Sequence, residues 1–164
     1  MAAAIRSFKY GDEWSRAAHL GSLMIPVIEP LGEFDAIVPV PLHAARLRQR
    51  GYNQSGLLAV EIGRQLQIPV VPVLARTRDT VSQVTLSRED RQSNLSGAFG
   101  LDSGWAPASG TRFLMIDDVR TTGATLNACA KELVRTGPRQ VTVATLALDL
   151  PQRELHDWLA EYGR

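Results

Sequence analysis

The sequence predicts an α/β fold: a mostly parallel central sheet with helices on both faces. Short apolar runs at residues 35–40, 69–74, 113–116 and 141–148 alternate with segments of helical periodicity at 11–24, 54–66 and 125–136. Strands that alternate with helices pair in parallel, and a parallel sheet is covered on both sides. The chain has 164 residues, 45% of them hydrophobic and 21% charged, which suits one globular domain with a real core, residues 1–164.

Each element has a local reason. In 11–24, Trp14, Ala17, Ala18, Gly21 and Met24 share one helical face. Pro26 and Pro30 then break the pattern. Residues 35–40 read Asp-Ala-Ile-Val-Pro-Val, a buried strand running into a stiff Pro-rich loop. Residues 46–54 read as a polar, Arg-rich loop, with Asn53 placed to cap the next helix. Over 54–66, Leu58, Ile62 and Leu66 recur every four residues. The run 69–74 is a further apolar strand. Residues 75–100 turn polar and Arg-rich, too long for an ordinary connection and expected to form a flexible lid. A Ser/Gly/Pro turn follows at 102–110. Leu126, Cys129 and Leu133 face inward on the 125–136 helix, which Gly137-Pro138 stops. A strand at 141–148 precedes the C-terminal stretch 149–164, an amphipathic helix over 151–162.

No segment approaches the ~18 consecutive apolar residues that span a bilayer. The first ten residues contain no apolar core of a signal peptide, so a cytoplasmic protein without membrane insertion is expected. One cysteine excludes an internal disulfide and an all-cysteine zinc site. The net charge of +1 is uneven. Residues 41–100 hold eight Arg against Glu61, Asp79, Glu89 and Asp90, which is +4 there and −3 elsewhere. Arg forks suit phosphate oxygens.

The most informative run is Phe-Leu-Met-Ile-Asp-Asp-Val-Arg-Thr-Thr-Gly-Ala-Thr at 113–125. Four apolar residues form a short buried strand, Asp117 and Asp118 sit at its C-terminal end, and a Thr/Gly turn leads into a helix. In an open α/β sheet ligands bind beyond the carboxyl ends of strands, and a helix N-terminus attracts an anion. Thr121, Thr122 and Thr125 add hydroxyl donors, Gly123 lets the backbone close around a phosphate without a Cβ in the way, and Ala124 belongs to the same phosphate-binding run. The two acids would repel that phosphate, so they face sugar hydroxyls, a metal, or both. The composite is a site for a phosphorylated sugar. Ordinary strand-end and helix-cap residues would explain one or two of these positions, but not five polar residues at these offsets.

This run resembles the phosphoribosyl diphosphate (PRPP) signature of the type I phosphoribosyltransferases. The resemblance implies that fold, with Asp117 and Asp118 on the ribose 2′ and 3′ hydroxyls and residues 121–125 around the 5′-phosphate. A second constellation is Val38-Pro39-Val40-Pro41-Leu42, then Arg46, Arg48 and Arg50-Gly51-Tyr52-Asn53-Gln54. On its own it is either a cationic cradle or a solvated basic loop. A third is Gln83, Leu86, Arg91, Asn94 and Phe99. Together, from about residue 8 to 148, these spacings resemble the ComF family of competence-associated phosphoribosyltransferase-like proteins. Many of its members begin with a four-cysteine zinc module; this chain starts where such a module ends, and no zinc is expected.

The resemblance implies Mg²⁺-dependent transfer of ribose 5-phosphate from PRPP to a nitrogen acceptor, with diphosphate released. Asp117 and Asp118 would orient the ribose and help hold Mg²⁺, Arg46 and Arg50 would neutralise diphosphate, and Arg88 or Arg91 would sit on the lid, whose plainer alternative is a polar surface hairpin. The competing class is a non-enzymatic adaptor that retains a PRPP or nucleoside 5′-phosphate site while DNA-uptake machinery is its partner. A homodimer is compatible with either. There is no P-loop, no Gly-x-Gly-x-x-Gly and no Gly-x-Ser-x-Gly elbow. His19, His43 and His156 have no partner spacing, His43 being notable for following the Val-Pro-Val-Pro strand. Cys129 reads as core rather than nucleophile.

Overall fold

The computed structural model describes residues 15–77, 97–102 and 110–149. Three parallel strands, β1 (Ala36–Pro39), β4 (Arg112–Arg120) and β5 (Gln140–Leu148), form the central sheet in the order β1-β4-β5. Val70 extends it beyond β1 through a parallel bridge to Ile37. There the Ile37 N–H donates to the Pro69 carbonyl, and the Val71 N–H donates to the Ile37 carbonyl. The expected 69–74 strand is thus only a bridge: the next rung needs an N–H from Pro39 to the Val71 carbonyl, Pro39 has none, and that carbonyl accepts the Val73 N–H instead. The chain instead re-forms as β2 (Leu74–Arg76), antiparallel to β3 (Phe99–Leu101). The expected 75–100 lid therefore leaves and returns along a short antiparallel ladder. Residues 78–96, with Arg88 and Arg91, lie outside the described residues, as does the expected helix at 151–162.

The period of two along each strand separates two cores. Ile37, Leu114 and Ile116 face one side and pack with α1 (Arg16–Ser22) and α4 (Gln54–Leu66). Ala36, Val38, Phe113 and Met115 face the other and pack with α5 (Ala124–Val134). Helices thus cover both faces, as the apolar strands required. Phe113, Leu114, Met115 and Ile116 are fully buried, and each such side chain contributes about 1.5–3 kcal/mol by leaving water.

Several boundaries differ from the sequence expectation. Of the expected 11–24 helix, residues 11–14 with Trp14 lie outside the described residues, and the described helix covers Arg16–Ser22; Ala17, Leu20, Gly21 and Met24 point inward, whereas Ala18 is exposed. That is the i, i+3, i+4, i+7 stripe, and it contains Leu20 rather than Ala18. Pro26 does not end the helical region but sits in the first turn of α2 (Ile25–Ile28), where its missing N–H costs nothing. The start of the expected 46–54 loop is a helix, α3 (Ala44–Arg50). His43 Nδ1 accepts the Ala45 N–H at its start, and Gly51, with φ 79°, closes its end in the left-handed region. Helix α4 matches 54–66, and Asn53 caps it by accepting the Ser55 N–H. β4 does not stop before the acids: it runs through both to Arg120, because Asp117 stays paired with Thr145 and Arg120 with Leu148 of β5. On α5, Leu126, Cys129 and Leu133 are all buried. No helix among the described residues is long and apolar enough to cross a membrane.

Candidate functional site

β1 is followed by α3 and α4 and leads outward to the bridge at Val70; β4 is followed by α5 and leads outward to β5 on the other side. The strand order therefore reverses between β1 and β4. At such a switch point the connections diverge to opposite faces and leave a crevice beyond the strand ends. A cavity of about 290 Å³ occupies that place. Asp117, Asp118, Val119 and Arg120 line it from β4; Thr121, Gly123, Ala124, Thr125 and Leu126 from the turn and first residues of α5. Arg46, Arg50, Asn53, Gln54 and Ser55 line it from the β1 side.

Of the residues singled out in the sequence, Asp117, Asp118, Thr121, Gly123, Ala124, Thr125, Arg46 and Arg50 come together around this cavity. Thr122 does not line it. Its Oγ1 instead accepts the Ala124 N–H at 3.4 Å, so it serves the helix start. Arg91 lies outside the described residues. Gly123 has φ 77° and caps α5 in the left-handed region, a conformation a side chain would strain. With Ala124 engaged by Thr122, the other N–H groups of the first turn have no helical carbonyl and face the crevice end.

The acids are held rather than loose. Ser55 Oγ donates to Asp117 Oδ1 at 2.8 Å, and the Asp118 N–H donates to the same oxygen at 2.9 Å. Asp118 is only 8% exposed. Asn53 Nδ2 donates to the Val40 carbonyl at 3.0 Å, tying the start of α4 to the end of β1. Arg50 Nη1 donates to Gln54 Oε1 at 3.3 Å. Cys129 lies beneath the site; burial, then the Asp117 charge, pushes its thiol far up, which suits a core residue.

The sequence did not single out Ser55, Arg76 or Asp149 as site residues, yet all three line the cavity. Arg76 comes from β2 and lies over the Phe99 ring at 5.4 Å, a cation–π contact that holds it in place. Asp149 follows β5 and is anchored by its N–H on the Arg120 carbonyl. The wall then carries Arg46, Arg50, Arg76 and Arg120 against Asp117, Asp118 and Asp149.

No protein-family model matches the chain. Competence protein F of Haemophilus influenzae is 40% identical over 114 residues, which is 69% of this chain and 50% of that protein. DNA utilization protein YhgH of Escherichia coli is 39% identical over 117 residues, 71% and 50%. Competence protein ComFC of Bacillus subtilis is 31% identical over 101 residues, 62% and 39%. The chain thus spans about half the length of the first two of these relatives. Among solved structures, the glutamine PRPP amidotransferase from B. subtilis, complexed with ADP and GMP, superimposes with a TM-score of 0.57 at 18% identity, covering 85% of this chain and 30% of that one. The adenine phosphoribosyltransferase from Saccharomyces cerevisiae gives 0.53 at 11% identity, covering 90% and 73%. At these identities the likeness shows the fold. A parallel sheet with a switch-point crevice, that structural likeness and these homologues together identify a type I phosphoribosyltransferase fold, and the chain belongs to the ComF family of phosphoribosyltransferase-like proteins.

Proposed function

We propose that the cavity binds PRPP with Mg²⁺ and that the chain transfers its ribose 5-phosphate to a nitrogen acceptor, releasing diphosphate. One observation carries the reading: a helix N-terminus, a carboxylate pair with Asp118 buried and Asp117 half-buried, and a group of arginines meet at one strand-order reversal. The turn at 121–125 takes the 5′-phosphate, Asp117 and Asp118 take the ribose hydroxyls, and Arg46 and Arg50 take the diphosphate. Displacement at C1 through an oxocarbenium-like state needs no protein nucleophile. It needs positioning, stabilisation of the leaving charge and exclusion of water. Arg91, on the segment between β2 and β3, is assigned to closure over the reacting centre.

The donors suit the cation. Asp117 and Asp118 offer hard oxygens, and among the described residues no group of three or more His, Cys, Asp or Glu is placed to hold a metal ion by itself. An ion beside the two acids takes its remaining ligands from diphosphate and water, which is the habit of Mg²⁺. When bound, it supplies positive charge against the departing diphosphate.

A second reading has its own support. The relatives are named for competence and DNA utilization, so the fold can serve as an adaptor that keeps the ligand site without turnover. Calorimetry with Mg²⁺-PRPP, followed by a diphosphate-release assay over a panel of nitrogen acceptors, separates the two. Release with any acceptor establishes the transferase. Binding without release favours the adaptor. No heat and no thermal shift at millimolar PRPP would remove the sugar-phosphate assignment.

A further inference from the structure

Helix α4, 13 residues long, also starts at the cavity, and three polar side chains stand at that start. Two are committed. Asn53 accepts the Ser55 N–H and donates to the Val40 carbonyl, and the Ser55 hydroxyl donates to Asp117. The third, Gln54, is 2% exposed, lines the cavity, and its Nε2 has no hydrogen-bond partner among the described residues.

The orientation of this amide is fixed by its neighbour. A guanidinium only donates, so the Gln54 atom that meets Arg50 Nη1 at 3.3 Å is the carbonyl oxygen, and the NH₂ points the other way. A buried donor left without an acceptor costs about 1–3 kcal/mol, so such a group calls for an explanation. Here the cavity supplies one. The contacts also set an order in space: the phosphate turn adjoins the acids, Asp117 holds Ser55, Ser55 precedes Gln54, and Gln54 holds Arg50. A ribose resting on the acids with its 5′-phosphate on the turn directs its C1 substituent toward Gln54 and Arg50.

We propose that Gln54 is a specificity-determining residue whose Nε2 donates to a phosphoryl oxygen of the C1 diphosphate, so that it selects a ribose carrying diphosphate at C1 over one carrying only a 5′-phosphate. This rests on the reading of the site given above. An NH₂ suits an oxygen that only accepts, and the start of α4 adds its positive end to the same place. Arg50 fixes the amide and adds charge, so the two side chains act as a unit.

Two variants test this, each with Mg²⁺-PRPP and with ribose 5-phosphate as titrants. Gln54→Met keeps the volume and removes both the orphan donor and the long bond from Arg50 Nη1, two effects of opposite sign, so the melting temperature of the free protein stays within a few degrees of the wild type. PRPP affinity falls about ten- to a hundredfold, the value of a hydrogen bond to a charged group, while ribose 5-phosphate affinity stays within about twofold. Gln54→Glu keeps the shape but sets a carboxylate against the diphosphate, and lowers PRPP affinity further. Unchanged PRPP affinity in either folded variant, or an equal loss for both ligands, overturns the assignment; the first result would mean that an ordered water satisfies Nε2. Failure of the underlying site reading looks different. There the wild type itself binds neither ligand, and the inference falls with it.

Discussion

Replacing Ser55 by alanine removes one hydrogen bond and little else. Ser55 is 4% exposed at the second position of α4, and its Oγ donates to Asp117 Oδ1 at 2.8 Å. A hydrogen bond to a charged group contributes about 1.5–3 kcal/mol. The same oxygen keeps the Asp118 N–H, and alanine favours the helix by a few tenths, so the net loss lies near the low end, about 1–2 kcal/mol. For a chain of this size 1 kcal/mol moves the melting temperature by about 2–4 °C, which predicts a fall of about 2–8 °C. A double-mutant cycle with Asp117→Asn isolates the pair, and the expected coupling is about 1–2 kcal/mol. If Asp117 must be aimed to receive ribose, the Kd for Mg²⁺-PRPP rises about five- to thirtyfold in calorimetry. A coupling energy near zero in the stability cycle would refute the claim that Ser55 holds the carboxylate. Full coupling with an unchanged Kd would refute only the link to ligand.

Two glycines in α4 should respond with opposite signs. A Cβ on Gly63 would lie 2.7 Å from the Ile68 carbonyl oxygen and 2.8 Å from Val70 Cγ2, so Gly63→Ala loses about 1–3 kcal/mol to overpacking, whereas Gly56→Ala, whose nearest neighbour is 3.5 Å away, gains about 0.5–1 kcal/mol; urea melts check both. Bonds from the Arg112 side chain and backbone N–H hold the Asp35 carboxyl at about 2 rather than the usual 3.8. A depressed carboxylate stabilises the fold above its unfolded value and loses that contribution as pH falls through the folded one, so wild type should lose more stability between pH 4 and 2 than Asp35→Asn does; equal slopes would count against the clamp. Asp118→Asn should keep the fold, weaken PRPP by about tenfold through loss of a charged acceptor, and tighten inorganic phosphate by removing a repulsive charge; shifts of the same sign for both ligands would take Asp118 off the ribose.

What the sequence could reveal followed how far apart the cooperating residues lie. Helix α4 was legible because Asn53, Leu58, Ile62 and Leu66 carry cap and period within one segment. α3 was not, because none of its residues is buried; a helix without an apolar face shows no periodicity, and its Arg-rich surface read as loop. The run 69–74 looks like a full strand because it is apolar, yet it holds only a bridge at Val70, because Pro39 on the facing strand has no N–H for the next rung. The acid pair and the phosphate turn were legible because thirteen consecutive residues carry them. Ser55 reaches Asp117 across 62 positions, and Arg76 and Asp149 arrive from β2 and the end of β5. Only the folded sheet brings these together. Thr122 makes the converse point, since adjacency in sequence put it beside the cavity without turning it inward.

The charges of the wall are partly divided by origin, Arg120 alone of its arginines sharing β4 with the acids, and that division constrains the ligand. All three aspartates come from the β4–β5 side of the switch point: Asp117 and Asp118 on β4, and Asp149 after β5. Arg46 and Arg50 come from the segment after β1, and the starts of α4 and α5 bring positive dipole ends from opposite faces of the sheet. A simple dianion would meet the acids as well as the arginines, so its attraction is partly cancelled. A long polyanion such as a nucleic-acid backbone meets the same acids and cannot place repeated phosphates in about 290 Å³. The arrangement suits a small molecule with anionic groups at two ends and a neutral, hydroxyl-bearing centre, which on the proposed reading would rest on Asp117 and Asp118. The proposed ligand, a phosphorylated pentose with diphosphate at C1, has that pattern.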